Sequence, residues 1–179
     1  MAIQDRYQMI PYSTVDGIPT YRDSELVAVY DQLVLEGLDE ILFHDGTVRD
    51  SQSFLNKVVK NPHTLFYVFW NKCTQKIDAF FWVNRIEQTH CYCHFCAFKQ
   101  IWGSKDTVPL GQWAMRYLLC DLSPRFHTVM GMIPASNVFA RDYLHRVGLH
   151  DVGKVPGFIW SEKEQKPVDG FVMYITKED

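Results

Sequence analysis

The sequence predicts one α/β domain, residues 1–179, on a mixed, mostly antiparallel central sheet of about seven strands flanked by about four helices. Three observations predict it. A hydrophobic fraction of 47%, with 15% aromatic residues, fills a core in a 179-residue chain and excludes a disordered one. Three apolar runs separated only by turns occupy the middle of the chain, the pattern of an antiparallel meander. Helical stripes stand on both sides of the meander, and strands separated by helices imply parallel pairing in part of the sheet.

Taken in order, 5–12 reads as a first strand. Ser24 is placed as the N-cap of a helix whose stripe is Leu26, Val29, Tyr30, Leu33 and Val34. A second helix runs from Ser51 through Lys60 on Phe54, Leu55, Val58 and Val59, and Asn61-Pro62 stops it. The meander is 65–70, 77–86 and 89–98, joined by turns at 71–76 and at Glu87-Gln88. Helical period returns with Leu110, Trp113, Ala114, Tyr117 and Leu118, and Pro109 suits its first turn. A strand follows at 127–133. Ser136 is placed as the cap of a last helix with the stripe Phe139, Ala140, Tyr143, Leu144 and Val147, ended by Gly148 as a left-handed stop. Strands at 153–160 and 170–176 close the order β-α-α-β-β-β-α-β-α-β-β; the stretches 15–19 and 161–169 read as loops.

A net charge of −3 gives no broad basic excess, so attraction to nucleic acid or to an anionic membrane is not indicated. The first dozen residues lack the basic-then-apolar pattern of a signal peptide, and no apolar run approaches the ~18–20 residues of a membrane span. Five cysteines, an odd number, suggest free thiols in a reducing compartment, and the expected location is cytoplasmic.

The segment from Gly131 to Leu149, with Asn137 opening a helix and Gly148 ending it, resembles the strand–Asn–helix–Gly segment of the acyl-CoA N-acyltransferase (GNAT) superfamily, with Leu149 where that family usually has an aromatic. The element order is similar to that family from end to end. The resemblance implies a fold in which two parallel strands, the fourth and fifth, splay at their C-terminal ends. The pantetheine arm of acetyl-CoA or another acyl-CoA inserts there, with its pyrophosphate on amides at the next helix start. The family's phosphate loop, Arg/Gln-x-x-Gly-x-Gly/Ala, aligns with Asp106–Gly111, where only Gly111 matches; Asp106 supplies a carboxylate and Pro109 lacks an amide. The resemblance therefore assigns cofactor contacts to the amides of Leu110, Gly111 and Gln112, to Asn137, and to a backbone amide near Phe98 that would polarise the acyl carbonyl.

Catalytic candidates are read in the same frame. Tyr143 is a candidate proton donor to the leaving thiolate, although counting from Asn137 puts the family's tyrosine at Leu144, and Tyr143 also fits the apolar stripe. His94, with His90, is a candidate base toward an incoming ammonium; the alternative is a histidine hydrogen-bonded in a sheet face. The run His90-Cys91-Tyr92-Cys93-His94-Phe95-Cys96 carries zinc-type ligands, but strand alternation sends them to opposite faces, so no metal site is expected.

The expected function is acyl transfer from acyl-CoA to the amine of a small molecule or protein, by direct attack in a ternary complex. The other reading is a non-catalytic protein of the same fold, with a worn phosphate loop and a binding or assembly role, as in phage particle assembly.

Overall fold

The computed structural model describes residues 2–122 and 126–177. The chain begins with a single helical turn, α1 (Ile3–Arg6), and enters strand β1 (Tyr7–Pro11) two residues later than expected, because the polar Gln4-Asp5-Arg6 stretch closes a turn instead of extending. A two-residue hairpin, β2 (Thr14–Val15) and β3 (Ile18–Pro19), forms in the stretch read as a loop, with Asp16 and Gly17 at positive φ. Helix α2 (Asp23–Glu36) starts one residue before Ser24. Its N-cap is Arg22, whose amide donates to Glu25 Oε2 at 2.7 Å, and Gly37 ends it in the left-handed conformation. A short turn, α3 (Asp39–Leu42), leads to α4 (Ser51–Phe54), which continues as a π-helical turn, Leu55–Val59. Asp50 caps α4 by accepting from the Ser53 amide.

The meander forms as expected: β4 (Leu65–Asn71), β5 (Lys76–Asn84) and β6 (His90–Ala97). Helix α5 (Thr107–Arg116) follows, extended by a π turn over Tyr117–Asp121. Then come β7 (Thr128–Pro134), α6 (Val138–Val147), β8 (His150–Ser161) and β9 (Lys166–Thr176). The cap of α6 is Asn137 rather than Ser136, since its side chain accepts from the Ala140 amide at 3.1 Å. Phe139 does not join the stripe; it is 89% exposed on the outer face of α6.

Among the described residues, seven strands make one sheet in the order β1-β4-β5-β6-β7-β9-β8. Every pairing is antiparallel except β6–β7. Alternation divides the core between the two faces. Tyr67, Phe69 and Phe81 pack with Leu110, Ala114 and Leu118 of the α5 helix and its π turn. Phe66, Phe80 and Trp82 pack with Leu26, Leu33 and Phe54 of α2 and α4. No described helix is long and apolar enough to cross a membrane.

Candidate functional site

Strands β6 and β7 run in register for only three pairs, His90↔Thr128, Cys91↔Val129 and Tyr92↔Met130, and then diverge. The Phe98 amide donates to the Asp78 carbonyl at 2.9 Å, so the backbone groups of Cys96 and His94 also point to β5. Those of Cys93, Phe95 and Ala97 point the other way, toward the gap. The indole of Trp102 donates to the Ala97 carbonyl at 2.7 Å. The Phe95 amide and carbonyl and the Ala97 amide remain facing the gap, a strand edge onto which an extended chain of amides can pair.

This geometry relocates some of the expected contacts. Phe98 has spent its amide on Asp78, and its fully buried ring packs against Phe80, so it has no donor for an acyl carbonyl. Ala97 holds the amide that faces the gap. Leu110 likewise donates to Asp106 O at 3.0 Å, and Gly111 and Gln112 lie deeper in the helix. The amides left open at the head of α5 are those of Thr107 and Val108, since Pro109 has none. Gly111 serves a different purpose: a Cβ there would lie 2.3 Å from Tyr143 Oη and 2.7 Å from Val147 Cγ2, so its missing side chain lets α5 and α6 touch.

Asp106 does not oppose an anion at that helix start in the way its position suggests. Its carboxylate turns inward, paired with Arg6, and the Tyr7 hydroxyl donates to Asp78 at 2.8 Å within the same buried cluster. Asn71 and Gln100 complete the bonds to Asp78. The head of α5 thus presents two open amides beside Ser104 and Lys105, while its one carboxylate is neutralised underneath, an arrangement that fits a diphosphate.

Tyr143 reaches across the gap. Its ring stacks on Phe95 (centroids 5.5 Å apart) and its hydroxyl donates to the Thr107 carbonyl at 3.0 Å. Burial pushes its pKa far above the usual tyrosine range. Leu144 faces β7, near Gly131. So Tyr143 is the residue of this pair that meets the cleft, and its hydroxyl is committed to the α5 backbone. Asn137 caps α6 and also lines the cavity described next.

On the other sheet face a half-open cavity of about 860 Å³ lies between the α3–α4 loop, the end of β7 and the β8–β9 turn. Among its charged lining residues Glu162 pairs with Arg49 at 2.9 Å and Glu164 with Lys166 at 3.0 Å, which leaves Asp39 and Glu40 against Lys163, a small excess of negative charge. His94 points to this sheet face but lies beneath the cavity, outside its lining. It stacks on Trp82 (4.5 Å), its Nε2 meets Asn84 Oδ1 at 3.2 Å, and burial pushes its pKa down to about 4. His90 is the first residue of β6, four residues along the strand from His94. His44, which does line the cavity, is the residue that sequence patterning missed; a lone histidine in a polar loop carries no periodic signal.

The cysteine–histidine strand divides as alternation requires. Cys91 and Cys93 enter the α5-side core and Cys96 the α2-side core. Burial raises all three thiols, that of Cys91 to about 12, so they stay protonated. Among the described residues no three His, Cys, Asp or Glu side chains converge as metal ligands.

No family model and no curated protein matches the sequence. Solved structures do match the fold. A GNAT-family acetyltransferase from Bacillus anthracis superposes with a TM-score of 0.75 at 10% identity, covering 97% of this chain and 96% of that one. The spermidine N-acetyltransferase of Vibrio cholerae, solved with CoA and spermine, gives 0.73 at 11% identity over 97% of both chains. The ribosomal-protein-S5-alanine acetyltransferase of Vibrio fischeri gives 0.71 at 10% identity, covering 97% and 94%. The chain has the GNAT fold, end to end.

Proposed function

We propose that this chain, on its GNAT fold, is an N-acyltransferase that moves an acyl group from acyl-CoA to a cationic amine in a ternary complex. The observation that carries the reading is the pairing of two features. The β6–β7 splay turns free backbone groups of Phe95 and Ala97 toward the gap, and a cavity carrying Asp39 and Glu40 reaches the end of β7 at Pro134 and the α6 cap at Asn137. An extended pantetheine chain suits the first and an ammonium suits the second.

In this reading the Phe95 backbone pairs with the pantetheine amides, and the Ala97 amide polarises the acyl carbonyl. The amides of Thr107 and Val108, with Lys105, hold the diphosphate. Tyr143 acts chiefly as a wall: its ring flanks the pantetheine path, and its hydroxyl holds α5 and α6 together at the Thr107 carbonyl. Relatives of the fold act on spermidine and on a protein alanine, and the carboxylate excess of the cavity favours an acceptor with positive charge.

The test is acetyl transfer from acetyl-CoA to a panel containing spermidine, alaninamide and a neutral aromatic amine, followed by thiol release and by mass. Transfer to the cationic members in preference to the neutral one is expected. Tight CoA binding without transfer to any of them would support the second reading, a non-catalytic binding or assembly protein, which the commitment of the Tyr143 hydroxyl to Thr107 favours.

A further inference from the structure

We propose that His44 is the base of this amine site: its imidazole meets the acceptor in the cavity and removes the proton that the ammonium must lose before its nitrogen attacks. The assignment rests on the acyl-transfer reading above. His44 sits in the loop between α3 and α4 and lines the cavity. Its backbone is held from two sides. The Glu162 amide donates to the His44 carbonyl at 2.8 Å, tying the loop to the β8–β9 turn. Its neighbour Phe43 is buried against Trp82 and Phe54 at 5.7 and 6.1 Å. The ring is therefore presented from a fixed support rather than from a loose loop.

Its Nδ1 is buried out of reach of solvent, so the ring can exchange a proton with the cavity only at Nε2. Burial lowers the imidazole pKa, outweighing Asp45 and the Ile41 carbonyl, which favour the charged ring. The other charged groups on the cavity wall are Asp39 and Glu40 from α3, Arg49 before α4, and Glu162, Lys163 and Glu164 from the β8–β9 turn, and His94 interacts with the ring from the sheet. Glu162 is engaged by Arg49 at 2.9 Å and by the Trp160 indole at 3.2 Å. His94 lies outside the lining. His44 is thus the neutral nitrogen base on the cavity wall.

The step balances. The ammonium gives one proton to the neutral imidazole, and the freed lone pair forms the C–N bond at the carbonyl carbon of the acyl thioester. The C–S bonding pair leaves with sulfur, and the thiolate takes the second proton that the nitrogen sheds. The imidazolium then returns its proton to water, so each turnover yields one amide, one thiol and one proton.

Two measurements on the full-length protein decide it. Imidazole NMR resonances are followed against pH with and without spermidine or alaninamide, the His44 signal being the one missing in His44→Gln. A bound cation is expected to shift that signal and to lower its apparent pKa. Acetyl transfer by His44→Gln is expected to fall about 10²-fold or more in kcat, with KM for the amine within a few-fold. The variant should also lose the decline in rate below pH 6.5, and circular dichroism should show the wild-type fold. A His44 signal indifferent to both amines, or a variant that keeps the acidic limb, overturns the assignment. If wild type acetylates no member of the panel, the transfer reading falls and the base role with it; an amine-sensitive His44 in that case marks a binding cavity only.

Discussion

At residue 111 a single hydrogen atom sets how closely two helices approach. Gly111→Ala would drive its Cβ into Tyr143 Oη and Val147, and overpacking of this kind costs about 1–3 kcal/mol. Urea unfolding should show that loss, and Tyr143→Phe in the same chain should recover part of it, because the nearest colliding atom is gone; additive losses would contradict the contact. A change at this glycine consequently reports helix packing before it reports cofactor binding. Tyr143→Phe alone is expected to leave acetyl transfer within a few-fold, since the hydroxyl is bound to Thr107; a fall of about 10² would return it to the role of acid. The phosphate-loop resemblance singled out Gly111 and the apolar stripe singled out Tyr143, although counting from Asn137 pointed to Leu144. Neither signal could find their partners, because what lies across from a helix face is a tertiary fact, and so the amides of Leu110 and Phe98 looked open when each already had an acceptor.

At the scale of elements, the apolar runs and stripes were legible because burial acts with a period of two or about four. The termini of elements were less so: Arg22 for Ser24 and Asn137 for Ser136 differ by one or two residues where several polar side chains compete for the cap. The splay of β6 from β7 was readable only through the resemblance, since register depends on strands far apart in sequence. Least legible was the support of α5. Arg6 pairs with Asp106 a hundred residues away, and nothing local marks it. Removing one member of a largely buried pair leaves the other uncompensated, so Arg6→Met is expected to cost up to about 3 kcal/mol. Arg6→Met with Asp106→Asn should cost less than Arg6→Met alone, as read by thermal unfolding. Equal losses would mean that the pair contributes only packing.

Across the whole molecule, the two sheet faces divide the work: the α5–α6 side carries the splay and the α2–α4 side the cavity, with β6 between them. This places a buried, neutral histidine in the sheet, and stability should register it. His94 has a folded pKa of about 4 against an ordinary 6.5, so below pH 6.5 the unfolded chain takes up a proton first. Stability is therefore expected to fall by about 3 kcal/mol between pH 6.5 and 4 from this group, and His44 acts in the same direction. His94→Gln should flatten that part of the profile; an unchanged slope would contradict a neutral, buried ring. Amide hydrogen exchange with and without CoA shows whether the gap between β6 and β7 receives the acyl-CoA arm. Slowed exchange is expected at Phe95 and Ala97 and at Thr107 and Val108, with the β8–β9 turn unchanged. Binding of CoA that leaves those four amides exchanging as before, or no binding at millimolar CoA, would contradict an acyl-CoA arm in that gap.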